Sequence, residues 1–473
     1  MVNTEIEKIV VFGAGYYGRL IVELVTENFS SEIVAVIDNK YYGKCINQFE
    51  VKKADNYLNN NLEDDIYFII AGKYCHEMFE QLIRYKVNSE RIYSLESYIL
   101  SHFQIDYSKS KLDTGSCMDR IVVFDCSSGF GLGGVENWTY RIAGELKNRN
   151  FDISLYTNNM DIPPRIDFKC DVNYVEYENN YYNDLITTVE ALIKFIEKYN
   201  KVCFVLAHMN VFTCAVLLLK KRFSNRVSVI SVIHSSLYNV MQENIMIEEF
   251  VDYFLCVNPY IKKIMSNRLR ISEQSVFCET PIDMKKLEHT YSINEKQPIR
   301  IGYAARLEVE HKRSDLIIQL IEELEKRECN YLLNIAGVGN CYSLIDNYIK
   351  EKKIENKVVM LGEISYKDMY NFWNKQDIAI NLSETEGCSL SMLESMMCGC
   401  VEVITETLGV DWLVKEGETG FLVPIGDVIC MAKKIEYLSK NRELISVLGK
   451  NAHIMISERC NIKRYVDFFE KLI

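Results

Sequence analysis

The chain has 473 residues, 48% of them hydrophobic and 25% charged, with a net charge of −12. Two or three domains with real cores are expected at this length, and the acidic balance excludes nucleic acid as the main partner, because a phosphate-backbone reader needs a basic surplus. The 16 cysteines form no CxxC pair and keep no regular spacing, which excludes a disulfide framework and a zinc site; Cys126, Cys203 and Cys256 sit in apolar runs as reduced small hydrophobes would.

The opening MVNTEIEKIVVFGAG enters a strand almost at once, unlike a signal peptide. The strand-like runs KIVVFG, EIVAVID and DIYFIIAG then alternate with amphipathic helical runs, the form of a parallel sheet with crossover helices. The first turn, GAGYYG, sets Gly13, Gly15 and Gly18 between strand and helix, with Asp38 about 20 residues further on, as in a dinucleotide fingerprint. NAD(P) or another nucleotide is the ligand such a turn would take. The same glycines also serve a bare strand–helix turn. This unit, residues 1–107, resembles the small Rossmann-like domains of some sugar-modifying enzymes, and the polar stretch at 108–118 reads as a linker.

A second alternating unit starts at RIVVFDCS and occupies 119–290; a third starts at IRIGYAA and occupies 298–455, after the polar run EHTYSINEKQP. The most membrane-like stretch, VCFVLAHMNVFTCAVLLL, contains His208 and Asn210, where a span needs about 20 clean apolar residues. It reads as strand, polar loop and buried helix, and a cytoplasmic or peripheral protein is expected. The basic runs KKRFSNR (220–226) and KKIMSNRLR (262–270) are either solvated helix ends or a surface for an anionic membrane or acidic ligand.

In open parallel sheets, ligands bind beyond the carboxyl ends of the strands. RIVVFDCS leads to Gly131, Gly133, Gly134 and Glu136; KVCFVLA to His208; VSVISVI to His234; IRIGYAA to Arg306 and Lys312; YLLNIA to Gly337 and Gly339; QDIAINL to Glu384, Glu386 and Gly387. Six strand ends with glycine, imidazole, cation or carboxylate point to two sheets facing one polar cleft. GLGG, placed before a helix starting near Asn137, has the form of an anion nest. Arg306 and Lys312 are suited to a diphosphate, one as a fork and one as a point charge.

The segment SETEGCSLSMLESMMCGC (383–400) separates Glu386 from Glu394 by seven residues. Ser391 as N-cap with Glu394 at the third helical position makes a capping box. Gly387, Cys388 and Ser389 instead suggest a ligand approaching the helix N-terminus, where N–H groups favour phosphate. A carboxylate at either end would then hold hydroxyls, which describes a sugar nucleotide.

With GLGGVEN, ETPIDMKKL, ARLEVEHKRSD, IAGVGN, VVMLGEIS and VKEGETGFLVPIGD following in chain order around this segment, residues 119–473 resemble the retaining GT-B glycosyltransferases of family 4. The resemblance implies an α/β fold of two Rossmann-like domains facing a cleft, an acceptor-side domain (119–290) and a donor domain (298–455), behind the extra N-terminal domain. A C-terminal helix (456–473) would pack back on the acceptor-side half. It implies catalytic roles for Glu386, Arg306, Lys312 and His208. Gly133, Gly134, Gly337, Gly387, Cys388, Ser389, Leu390 and Glu394 would contact the donor, Glu394 through its ribose, and His234 would line the acceptor side. The implied partners are a UDP- or GDP-sugar and a glycan or lipid-linked acceptor, as in bacterial surface-polysaccharide assembly, with no cofactor or metal for the transfer and no DxD motif at a suitable strand end. Cys388 and Ser389 replace the usual aromatic–glycine pair, and Val401 follows CGC where a proline is common. The alternatives are a non-catalytic GT-B partner protein, or an NAD-dependent sugar-nucleotide oxidoreductase or epimerase acting through residues 1–107.

Overall fold

In KIVVF, alternation puts Ile9 and Val11 on one strand face and Val10 and Phe12 on the other, and all four are buried. Both faces must therefore be covered, as in a parallel sheet between helices. The computed structural model describes residues 7–71, 75–103, 118–127, 129–131, 133–161, 169–178, 181–292, 294 and 296–473, so most of the 108–118 stretch lies outside the described residues.

The described strands form three sheets, of six, seven and six strands. Numbered along each sheet's parallel strands, all three share the core order 3-2-1-4-5, extended at the far edge in the second and third. An antiparallel hairpin, Cys45–Ile46 against Phe49–Lys53, edges the first sheet. In this order the chain reverses direction across the sheet beside the first strand. The second sheet's switch point lies between Met118–Asp125 and Tyr199–Leu206, which pair in parallel with Val202 opposite Ile121. In the third it lies between Ile299–Ala304 and Ile378–Asn381, with Ile301 opposite Ile378. Loops leaving on either side of a switch point leave a crevice at the strands' carboxyl ends.

The first sheet's Ile9 and Val11 face belongs to one buried cluster with Phe204 and Phe212 of the second unit. Helix Leu95–His102 lies against Val211–Arg222, and Cys75–Arg84 against Tyr238–Ile245. The last helix, Ile462–Phe469, lies against Gly134–Asn148; Phe469 stacks on Phe124, Trp138 Nε1 donates to Tyr465 Oη at 3.2 Å, and Arg149 pairs with Asp467 and Glu470. No helix of the described residues is long and apolar enough to cross a membrane.

The 220–226 run is largely spent inside the protein: Lys220 pairs with Asp252 at 2.8 Å, Lys221 donates to Leu100 O and Arg226 to Ile196 O. In the second run, Arg268 lies over Tyr238 and Arg270 pairs with Glu248, while Lys262 and Lys263 are exposed.

The connection to the third sheet is tied to Asp377, whose side chain is fully buried. It accepts from the Ser292 and Arg300 backbone N–H groups, both at 3.0 Å, and from the Arg300 guanidinium at 2.6 and 2.9 Å. Burial alone would push this carboxyl up; the bonds from Arg300 and the backbone, with His289 Nε2 3.9 Å away, hold it well below the usual carboxylate range. A depressed folded pKa adds stability above the unfolded value of about 3.9 and loses it as pH falls below that. Asp377→Asn is expected to cost about 3–5 kcal/mol at neutral pH, as for a broken buried pair, and to flatten the loss of stability below pH about 4. Urea unfolding across pH checks both; wild-type stability at neutral pH would remove Asp377 from this role.

Candidate functional site

The two switch points face each other. A Cβ added to Gly134, at the start of helix Gly134–Asn148, would lie 3.8 Å from Leu390 Cδ1 of the opposite half, and one on Gly387 would lie 2.0 Å from His234 O. Asn258 Nδ2 donates across the junction to Gly387 O at 2.7 Å. The loop at 383–389 thus rests on the second unit, between its strand ends and the head of helix Leu390–Met397.

That helix starts earlier than a capping box on Ser391 would require. Ser389 is the N-cap, its side chain accepting from Met392 N–H. Glu394 therefore sits beyond the first turn and is not cap punctuation. Glu386 and Glu394 each meet one cation: Lys312 Nζ lies 2.6 Å from Glu386 Oε1, and Arg141 Nη2 of the opposite half lies 2.9 Å from Glu394 Oε1. Ser383 Oγ also donates to Glu386 Oε1, at 2.7 Å. Burial pushes the Glu394 carboxyl up, and the Arg141 guanidinium pulls it back toward ionisation. Burial also pushes the Cys388 thiol up to about 12, so it stays a neutral thiol.

Arg306 does not join Lys312 on a shared anion position. Its side chain is 71% exposed and pairs with Glu308 at 3.3 Å. Lys312 is flanked by His311 and Arg313, both at positive φ, and Arg313 reaches Glu384 at 3.6 Å. Gly337, with φ +137, would set a Cβ 1.9 Å from Ala305 O and donates its own N–H to Gly362 O. Its glycine identity is thus explained by close packing of the strand ends. Helix Gly134–Asn148 begins three residues before the expected Asn137, with Gly133 as N-cap. A Cβ on Gly133 would meet Glu136 Oε2 at 2.1 Å. The GLGG turn therefore carries a carboxylate against its own backbone, which an incoming anion has to displace.

Among the described residues, neither His208 Nε2 nor His234 Nε2, both buried, has a hydrogen-bond partner. The His234 ring packs on Trp138 with centroids 5.1 Å apart; burial, with neighbouring His208 adding to it, lowers its pKa to about 3. It is neutral at physiological pH and sits by the 383–389 loop.

In the first unit, a Cβ on Gly13 would meet Ala71 O at 2.1 Å and one on Gly18 would meet Gly13 O at 2.0 Å, whereas Gly15 faces open space. The Asp38 carboxylate accepts from Ala14, Lys40 and Tyr41 N–H at 2.6–2.8 Å. It closes the turn's own loop, so a ribose would have to share it.

Arg141, Ser383 and Asn258 were not singled out by the sequence reading. Arg141 had one signal: it follows Trp138 by three residues and so lies on the helix face that buries Trp138, Ile142 and Leu146.

Residues 284–455 match the family described as Glycosyl transferases group 1, and residues 8–72 match the PglD N-terminal domain. Similar curated proteins are N-acetyl-alpha-D-glucosaminyl L-malate synthase of Bacillus anthracis, 27% identical over 190 residues (40% of this chain, 49% of the relative), and the capsular polysaccharide biosynthesis glycosyltransferase CapM of Staphylococcus aureus, 27% identical over 185 residues (39% and 48%). The chain thus spans about half the length of these relatives. Among solved structures, a glycosyltransferase from Rickettsia africae ESF-5 superposes with TM-score 0.62 at 14% identity, covering 75% of this chain and 98% of that one. Anabaena HepE in complex with UDP does so with TM-score 0.58 at 16% identity, covering 74% and 98%. The fold is GT-B, with the first unit as an additional Rossmann-like domain.

The contact of Gly387 with the His234 carbonyl tests how tightly the halves close. Gly387→Ala forces loop and carbonyl apart, and a cost of about 1–3 kcal/mol, as for overpacking, is expected. Urea unfolding measures it; an unchanged midpoint would mean that the loop does not rest on His234.

Proposed function

We propose that the protein is a retaining glycosyltransferase that moves a sugar from a UDP- or GDP-sugar to a glycan or lipid-linked acceptor in bacterial surface-polysaccharide biosynthesis. The observation that carries this reading is the pair Glu386 and Glu394 at the two ends of a loop–helix junction on the third sheet's switch point, each beside a cation and opposite the GLGG turn. The glycosyltransferase group 1 match over 284–455 supports it, as do relatives whose names place them in capsule biosynthesis and in poly(ribitol-phosphate) N-acetylglucosaminyl transfer.

In this reading Glu394 accepts from the ribose hydroxyls and Glu386 from the donor sugar's hydroxyls. The backbone of Gly387, Cys388, Ser389 and Leu390 lies along sugar and phosphate. Breaking the anomeric C–O bond leaves positive charge on the sugar and negative charge on the departing diphosphate. Lys312, held in place by Glu386, stabilises that developing anion as a preorganised cation does, and Arg306 joins it after turning inward from its exposed position. Gly133 and Gly134 approach the diphosphate from the other half once Glu136 withdraws. The neutral imidazole of His234 offers a hydrogen bond without adding charge; His208, beside it, faces the donor sugar. Retention of anomeric configuration assigns the acceptor's proton to the leaving phosphate on the attacked face. The enzyme acts in the cytoplasm, and the exposed Lys262 and Lys263 offer contact with an anionic membrane surface. For residues 8–72 the open space at Gly15, the N-cap of helix Tyr16–Asn28, leaves room for a nucleotide, NAD(P) included, at the helix N-terminus.

Melting temperatures with UDP-, GDP- and ADP-sugars, NAD and NADP test this. A sugar nucleotide at about 100 times its Kd adds about 2.7 kcal/mol to the wild type, and the gain should vanish in Glu394→Ala. Stabilisation by NAD or NADP alone would transfer the ligand site to the first unit and end the transferase reading. With the donor identified, Lys312→Ala should lower kcat by about 10²–10³, measured as sugar-nucleotide turnover; wild-type turnover would exclude Lys312 from charge stabilisation.

A further inference from the structure

Glu394 belongs to one half of the molecule and its cation to the other. Arg141 lies on helix Gly134–Asn148 among Trp138, Ile142 and Leu146, and only 5% of its side chain is exposed. Its Nη2 meets Glu394 Oε1 at 2.9 Å, and its Nε lies 3.8 Å from Asp283 Oδ2, in the connection between the halves. The Glu394 side chain is 15% exposed, and among the described residues its carboxylate accepts hydrogen bonds from Arg141 alone, through Oε1, leaving Oε2 without a donor.

We propose that Arg141 is a positioning residue for donor recognition: by holding Glu394 Oε1 from the opposite half, it aims Oε2 at the ribose hydroxyls and makes ribose recognition depend on closure. This rests on the nucleotide-sugar reading above. Ribose hydroxyls are neutral donors and do not supply the charge that a buried carboxylate requires. A bound nucleotide therefore adds to the Arg141–Glu394 pair and does not replace it. Arginine suits the place because its planar fork addresses Glu394 and Asp283 in two directions at once, whereas an ammonium is a single point charge.

The test is calorimetric binding of UDP and GDP and of their 2′-deoxy forms to the full-length wild type, Arg141→Met, Arg141→Lys and Glu394→Gln, with unliganded melting temperatures as the check on folding. The wild type should prefer the ribose form about tenfold to a hundredfold, the range for a hydrogen bond to a charged group. Arg141→Met should bind the ribose form correspondingly more weakly and the deoxy form nearly as the wild type does, so that the preference collapses. Arg141→Lys should keep an intermediate preference, and it carries the test if Arg141→Met does not fold. Full preference in both Arg141 variants, or tighter binding of the ribose form, would overturn the proposal; tighter binding would make the pair a latch that the nucleotide breaks. A wild type that binds neither diphosphate, or binds ribose and deoxyribose forms equally, would instead overturn the donor-site reading itself.

Discussion

Parallel pairing is the constraint from which the rest follows. Every pairing among the described strands of the second and third sheets is parallel, so each strand is reached by a crossover and all strands end on one edge. The order 3-2-1-4-5 then opens one crevice per sheet beside the first strand. Asp125 shows how such a crevice is fixed. It is buried at the end of the second sheet's first strand, accepts from Ser127 N–H at 3.0 Å, and reaches Ala207 N–H across the switch point at 3.4 Å. The loops that carry chemistry thus leave from strand ends already tied together.

Two crevices make one cleft only if the halves stay in contact, and the contacts differ in weight. Tyr260 Oη donates to Asp411 at 2.6 Å, but in an exposed position, and exposed charge-assisted contacts contribute about 0–1 kcal/mol. The Arg141–Glu394 pair is nearly sequestered, and losing one partner of a buried pair costs about 3–5 kcal/mol. Between these stands Asn258, the N-cap of helix Pro259–Arg268, whose amide also reaches Gly387 O and Leu408 O. Closure is governed by groups that also shape the candidate site, so the site and the interface between the halves are one piece of structure.

The sequence exposed whatever depends on local pattern. Apolar runs identified the strands, and counting polar residues at their ends found Gly134, His208, Lys312 and Glu386 at two switch points, with His234 one strand further along. What it could not supply was direction. Arg306 and Lys312 leave the same loop, yet one points outward and the other meets Glu386, the backbone turning through positive φ on either side of Lys312, at His311 and Arg313. Ser389 and Ser391 are equivalent as caps on paper; the approach of Gly387 to His234 places the chain so that the helix begins at Leu390. Arg141 and Glu394 lie on different domains, and no spacing rule spans that distance. Asp38 had the right position for a ribose acid, but it is held by backbone N–H groups of Ala14, within the fingerprint turn itself, and of Lys40 and Tyr41, just after it.

The departure at Val401 has a local cause that leads back to the cleft. Val401 donates its N–H to Asp377 O at 3.0 Å, a bond a proline could not make. Asp377 therefore uses its carbonyl to seat the strand Val401–Thr405 and its carboxylate to anchor Ser292 and Arg300. Strand Ile378–Asn381 starts at the next residue and leads into the loop of Ser383 and Glu386. The connection near residue 292 and the loop at 383–389 are thus both fixed to a single residue. Upstream, Ile282 donates its N–H to Cys460 O at 2.9 Å and bridges to Asn461. The two crossings of the chain between halves run side by side there, and Asp283, next along, faces Arg141. The arginine that holds Glu394 therefore stands where the chain itself joins the halves, so the pair across the cleft and the covalent connection reinforce one another.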